Sequence, residues 1–185
     1  MFILLLTIAL VAVLVAILYN RLVRDRNRTS AAWSDIDVQL QRRHDLVPQL
    51  VKAVEQYAAY ERATIEAVTT LRKQAMHSSS IAELGKTEEE LGSGIKRLLA
   101  IAEAYPDLKA NENFLQLQKE LVETEDYLQF ARRYYNGSVR ELNTRIETVP
   151  NNMIASLFGF KQKDYFQKSS DDAANVPLVK LGSIE

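Results

Sequence analysis

Cysteine is absent from this 185-residue chain, which excludes disulfides, thiolate metal sites, cysteine catalysis and a lipidated N-terminal cysteine. Histidine occurs only as His44 and His77. Each has glutamine three residues earlier (Gln41 and Gln74), so neither completes the Glu-x-x-His of a carboxylate-bridged di-iron bundle, and no His-Glu-x-x-His zincin motif exists. Glycine (6) and proline (4) are scarce, so turns are few and long helices are expected. Gly92-Ser93-Gly94 lies within a helical stripe with no strand before it and is not a phosphate loop. An excess of positive charge is missing too: 23 Lys plus Arg against 24 Asp plus Glu excludes a generally basic nucleic-acid binder. No serine is set beside a base, and Asp35 and Asp37 lie about 200° apart around a helix, too far to chelate one ion. These absences predict a protein that is not an enzyme, with no catalytic residues, cofactor, metal or small-molecule substrate.

What the chain does have is an apolar start. Residues 1–19 (MFILLLTIALVAVLVAILY) carry no charge and are apolar on every face, and nineteen helical residues reach about 28 Å, close to the thickness of a bilayer's hydrocarbon. A cleaved signal peptide would open on cations and close on small residues, whereas Leu18 and Tyr19 are bulky. Residues 1–20 therefore read as a transmembrane anchor in contact with membrane lipid. Residues 21–30 read as a basic juxtamembrane segment whose Arg21, Arg24, Arg26 and Arg28 are a topology signal, offset only by Asp25. By the positive-inside rule this predicts a single-pass protein of the bacterial cytoplasmic (inner) membrane, N-terminus outside and the remainder cytoplasmic. No nucleic-acid partner is expected, because the arginines serve topology.

Residues 31–167 read as an all-α, elongated antiparallel bundle of three long helices plus a short C-terminal helix. The first helix carries Trp33, Ile36, Leu40, Val47, Leu50 and Val54, and its stripe resumes at Ile65, Val68 and Leu71 after a polar stretch at 60–64. Pro48 predicts a kink or short break around 44–48, with Asp45 helping to cap the turn that follows. Residues 77–86 read as a connector, and Thr87-Glu88-Glu89-Glu90 as a capping box opening a second helix over about 88–105. The third helix, after Asn111 and ending before Pro150, has one apolar stripe through Phe114, Leu121, Leu128, Tyr135 and Leu142. It has a second line at Leu115, Val122, Tyr127, Phe130 and Tyr134, which places it centrally against both other helices. Residues 151–167 read as a short helix and strap, or alternatively as an amphipathic membrane-surface segment. Residues 168–185 read as a flexible tail, with 176–181 either a strap or a short partner motif.

Arg43 and Glu61 occupy positions where the heptad count expects core residues, and Glu125, Arg132, Asn136 and Asn143 flank the third helix's main stripe. Two readings stand: polar groups that fix helix register, or a partner-docking patch.

Five stretches carry a family resemblance: YNRLVRDRN (19–27), AAWSDIDVQLQRRHDLVPQLV (31–51), EAYPDLKANENFLQLQKEL (103–121), TEDYLQFARRYYN (124–136) and the ending VPNNMIASLFGF…YF (149–166). With these the chain resembles the LemA family of small bacterial membrane proteins. The resemblance implies one N-terminal span and a helical bundle, and it transfers no catalytic residue. Members of that family often accompany membrane proteases or other envelope proteins. The resulting expectation is an interaction or scaffold module at the cell envelope, with a protein partner or self-association. The alternatives are a self-associating membrane organiser and a ligand sensor or unrecognised enzyme.

Overall fold

The structure, a computed structural model, describes residues 1–58 and 60–166. Its elements are α1 (Phe2–Glu55), α2 (Arg62–Met76), α3 (Ile81–Ala102), α4 (Pro106–Lys109), α5 (Glu112–Glu147) and α6 (Asn151–Leu157). The expected fold class holds: an all-α chain with one long apolar N-terminal helix leading into a helical bundle. The tail and position 167 lie outside the described residues.

α1 is one helix of 54 residues, about 80 Å at 1.5 Å per residue. Residues 2–30 are therefore not hinged to the bundle. A buried line runs down α1 through Leu18, Leu22, Asp25, Thr29, Ala32, Ile36, Leu40, Arg43, Val47, Leu50 and Val54, at spacings of three and four, with His44 and Leu46 buried beside it. Before Val15 the side chains are exposed all round.

The predicted break at Pro48 does not occur; α1 runs through it. Proline removes the N–H that would bond the carbonyl of His44, and an unbonded buried carbonyl is costly. Here Arg72 Nε of α2 donates to that carbonyl at 2.6 Å, so a neighbouring helix satisfies what proline left open. Asp45 accordingly caps nothing and accepts from Gln41 within the helix at 2.9 Å. α1 ends instead at Glu55 and α2 opens at Arg62, dividing the expected first helix into the lower half of α1 and a separate α2.

A second correction concerns 77–90. α3 opens at Ile81, not 88, because Ser80-Ile81-Ala82-Glu83 is itself a capping box. Ser80 Oγ accepts from the Glu83 N–H at 3.2 Å, and Glu83 Oε2 accepts from the Ser79 N–H at 3.0 Å. Glu83 is held below the usual carboxylate range by those bonds from Ser79. Thr87 and the acidic run lie inside the helix, which ends at Ala102, before Pro106 opens the single turn of α4.

α1, α2, α3 and α5 form an up–down–up–down bundle. α1 and α5 are antiparallel, since Asp25 pairs with Arg145, Arg28 with Glu141 and Arg43 with Glu125. α2 and α3 pack closely where Gly94 faces Val68: a Cβ at Gly94 would lie 2.7 Å from Val68 Cγ2, so the approach requires glycine. Leu50, Val54, Val68, Leu91, Leu98 and Leu108 share one core. Ile36, Leu128, Tyr135 and Phe166 share the next, toward the anchor. Burying each such large side chain is worth about 1.5–3 kcal/mol.

The central helix is α1, which touches α2, α3, α5 and α6; α5 rests chiefly on α1 and meets α3 far less. The expectation that α5 occupies the centre is overturned. One line of α5 supplies the core, while Leu115, Val122, Tyr127, Phe130 and Tyr134 face outward, Phe130 being 62% exposed. The continuous α1 offers contact along the full length of α5's first stripe, and among the described residues no helix covers the other side.

Candidate functional site

Halfway down the bundle, four helices contribute to one buried polar cluster. Arg43 Nη1 of α1 donates to Glu88 Oε2 of α3 at 2.9 Å, and also to the Glu88 carbonyl at 3.3 Å. Arg43 Nη2 pairs with Glu125 of α5. His44 Nε2 lies 2.5 Å from the other Glu88 oxygen, and Arg72 of α2 holds the His44 carbonyl. Glu88 is wholly enclosed, and Arg43 and His44 are buried. Burial pulls the Arg43 guanidinium below its ordinary range, and the Glu88 carboxylate opposes that pull.

Arg132 stands beside this cluster, its guanidinium carbon 4.8 Å from the centre of the Phe166 ring. Its Nε and Nη2 donate no hydrogen bond among the described residues. Burial, and then the charge of Arg43, bring Arg132 down to about 10, so it remains a cation at neutral pH. A cleft of about 560 Å³ opens between α3 and α5 here, bordered by Gly92, Lys96, Glu125, Gln129 and Arg132.

The remaining flagged residues separate by role. Asn136 clasps the strap after α6: its Nδ2 donates to the Phe166 carbonyl at 3.0 Å, and its Oδ1 accepts from the Phe166 N–H at 2.9 Å. Asn143 does the same to Lys163, with both bonds at 2.9 Å. Tyr135 Oη donates to the Asp164 carbonyl at 2.9 Å, and burial raises its phenol above the ordinary value. Glu61 lies apart from all of these, at the N-cap of α2, and its side chain does not cap that helix. Arg21, Arg24, Arg26 and Arg28 are exposed on α1. Arg28 turns back to the bundle, donating to Tyr134 Oη at 3.1 Å and Glu141 at 2.7 Å, and its guanidinium is held above its ordinary range mainly by Tyr134.

Glu88, His44 and Arg72 complete the cluster, and none was singled out as a site residue from the sequence. The signal for Glu88 was present. Its apolar neighbours Ile81, Leu84, Leu91, Ile95, Leu98 and Ala102 repeat at three and four, and Glu88 fills the missing step.

Residues 32–181 match the model of the LemA family. The chain belongs to the LemA family. This LemA-family chain is 26% identical to Magnetosome protein MamQ 2 of Paramagnetospirillum magneticum, over 87% of this chain and 68% of that one. It is 26% identical to Magnetosome protein MamQ of Magnetospirillum gryphiswaldense, over 93% and 73%. It is 28% identical to Protein LemA of Metamycoplasma hominis, over 88% and 74%. The matched region of this LemA-family chain contains the whole Arg43–His44–Glu88–Glu125 cluster. Chemically that cluster is a tie: a carboxylate shared by a guanidinium and an imidazole, braced by a second carboxylate. Among the described residues, no three His, Asp or Glu gather as metal ligands.

Proposed function

We propose that this LemA-family chain is a non-enzymatic, single-pass protein of the bacterial cytoplasmic membrane, whose cytoplasmic bundle is a protein-interaction or scaffold module. The observation that carries the reading is the outward line of α5. Tyr127, Phe130 and Tyr134 border a shallow groove of about 360 Å³ with Asp35, Val38 and Gln39 of α1, and Val38 is itself exposed. Contiguous apolar and aromatic surface of this kind marks interaction sites on soluble domains. The residues around Arg43 support a structural role for the interior, leaving the outer face for partners.

The test is a photo-crosslinking amino acid at Phe130 in the full chain, irradiated in native membranes. A discrete protein adduct, absent when the same group stands at exposed Glu66 on α2, is the expected result. Lipid-only or no adduct defeats the reading. A second reading, self-association, is favoured by the unbroken α1: a rod continuous with the anchor holds this face at a fixed height above the bilayer, where a second copy in the same membrane meets it in register. An adduct of twice the chain mass identifies that case. Cytoplasmic placement is tested by Ser79→Cys and an impermeant thiol reagent, which is expected to label only permeabilised cells; labelling of intact cells inverts the topology.

A further inference from the structure

We propose that α6 and the turn after it form a second membrane contact, an element that lies in the bilayer surface beside the anchor instead of closing the bundle in water. Four observations converge on it. Ile154 and Ala155 of α6 pack against Leu18 and Leu22 of α1, with Val15 and Tyr19 at the edge of the same cluster. Val15 and Leu18 belong to the apolar run itself, so α6 touches the last turn of the segment that reads as the span. Val15 lies four residues before Tyr19, about 6 Å along the helix, within the 5–10 Å depth at which in-plane amphipathic helices sit.

The face of α6 turned away from α1 is apolar. Met153 and Leu157, one helical turn apart, are 68% and 74% exposed, and Val149 and Phe158 continue the patch on either side. From 149 to 160 the sequence has no charged residue at all. Such a patch in water would be an aggregation liability, but at this height it continues the exposed apolar surface of Leu14 and Ile17 on the anchor.

An interfacial belt surrounds it. The Tyr19 ring centre lies 4.7 Å from that of Phe158 and 5.9 Å from that of Phe160, and the Arg26 guanidinium stands 5.4 Å from the Phe160 ring centre. Aromatic rings with cations just beyond them are the arrangement that suits a headgroup layer. Exposed Arg21, Arg24, Lys161 and Lys163 flank the apolar patch, so the occupant is a lipid surface bearing anionic headgroups. Gly159, at φ 69°, turns the chain out of α6 and back along the bundle, where the clasps of Asn143 and Asn136 hold the strap. The bundle thus joins the bilayer at two places, and tilting about the anchor is restricted.

The absence of cysteine makes the experiment direct. Single cysteines at Leu10, Leu157 and Tyr60 in the full chain carry an environment-sensitive fluorophore, and the protein is reconstituted in phosphatidylcholine–phosphatidylglycerol vesicles with acyl chains brominated at carbons 6 and 7. Leu10 reports the span, and Tyr60, 97% exposed at the far end of the bundle, reports water. The expected result is bromolipid quenching at Leu157 within about twofold of that at Leu10, and none at Tyr60. Iodide quenching of Leu157 equal to that of Tyr60 overturns the inference while leaving the anchor intact. Shielding of Leu157 from both quenchers assigns the patch to a protein interface and overturns it as well. Loss of bromolipid quenching at Leu10 also overturns it, together with the spanning assignment. Omitting phosphatidylglycerol is expected to lower the Leu157 signal about twofold and leave Leu10 unchanged; no change refutes the anionic headgroup as the occupant.

Discussion

Two sets of ion pairs tie α1 to the rest of the bundle, and they differ in burial, not in chemistry. Near the anchor, Arg28 and Glu141 meet at 2.7 Å with side chains 45% and 54% exposed, and Asp25 pairs with Arg145 in a half-sheltered position. Halfway down, Arg43 and Glu88 meet at 2.9 Å with side chains 4% and 0% exposed. Arg28 and Glu141 exchange solvent for each other at little net gain, since water competes for both partners. Arg43, His44 and Glu88 have lost almost all their water, so each depends on the others, and removing one strands the rest. The inner cluster joins α1 to α2, α3 and α5 at one level, whereas the outer pairs lie along a contact between α1 and α5 that the apolar stripe already makes.

The sharpest way to break that contrast is Glu88→Leu. It leaves Arg43 with one carboxylate and His44 with none, and is expected to cost about 3–5 kcal/mol in thermal or denaturant unfolding of the detergent-solubilised chain. The double change Arg43→Leu with Glu88→Leu is expected to recover most of that loss; a double variant worse than the single would mean the cluster is not a mutual dependence. Gly94→Ala probes packing near the inner cluster without touching charge. It is expected to cost about 1–3 kcal/mol, with recovery when Val68→Ala makes room, and a neutral result would show that α2 and α3 can separate freely. Asp25→Asn, at the sheltered end of the outer set, is expected to cost about 1 kcal/mol. Smallest of all, Glu141→Gln is expected to leave the melting temperature unchanged, and raising salt to about 0.5 M is expected to erase any residual effect. A salt response as large in the Glu88 variant series would refute the difference in burial.

The apolar periodicity carried far into the fold. The long apolar N-terminal helix, the full stripe of α5 from Phe114 to Leu142 and the short helix after Pro150 all follow from spacing and from residues with restricted backbones. Local rules misled at Pro48 and at Thr87, in each case because a stronger partner was available. A guanidinium from α2 took the carbonyl that Pro48 orphaned, and Ser80, seven residues upstream of Thr87, caps α3 by accepting from the Glu83 N–H while Glu83 accepts from Ser79. Of the site, Arg43, Glu125 and Arg132 were legible as polar residues in or beside apolar stripes. Glu88 was hidden in an acidic run that resembles a helix start, and Asp25 in a cluster of arginines.

Sequence alone determined that this chain is helical, that its first nineteen residues shun water on every side, and that it has few places to turn. Those properties follow from side-chain polarity and backbone freedom, which each residue carries with it. Only the tertiary structure decided that α1 and not α5 is the central helix, which apolar line of α5 is left bare, and that Arg43, His44, Glu88 and Glu125 meet. Each of those depends on which faces of different helices come together, and a pattern periodic along one helix holds no information about its partner's angle.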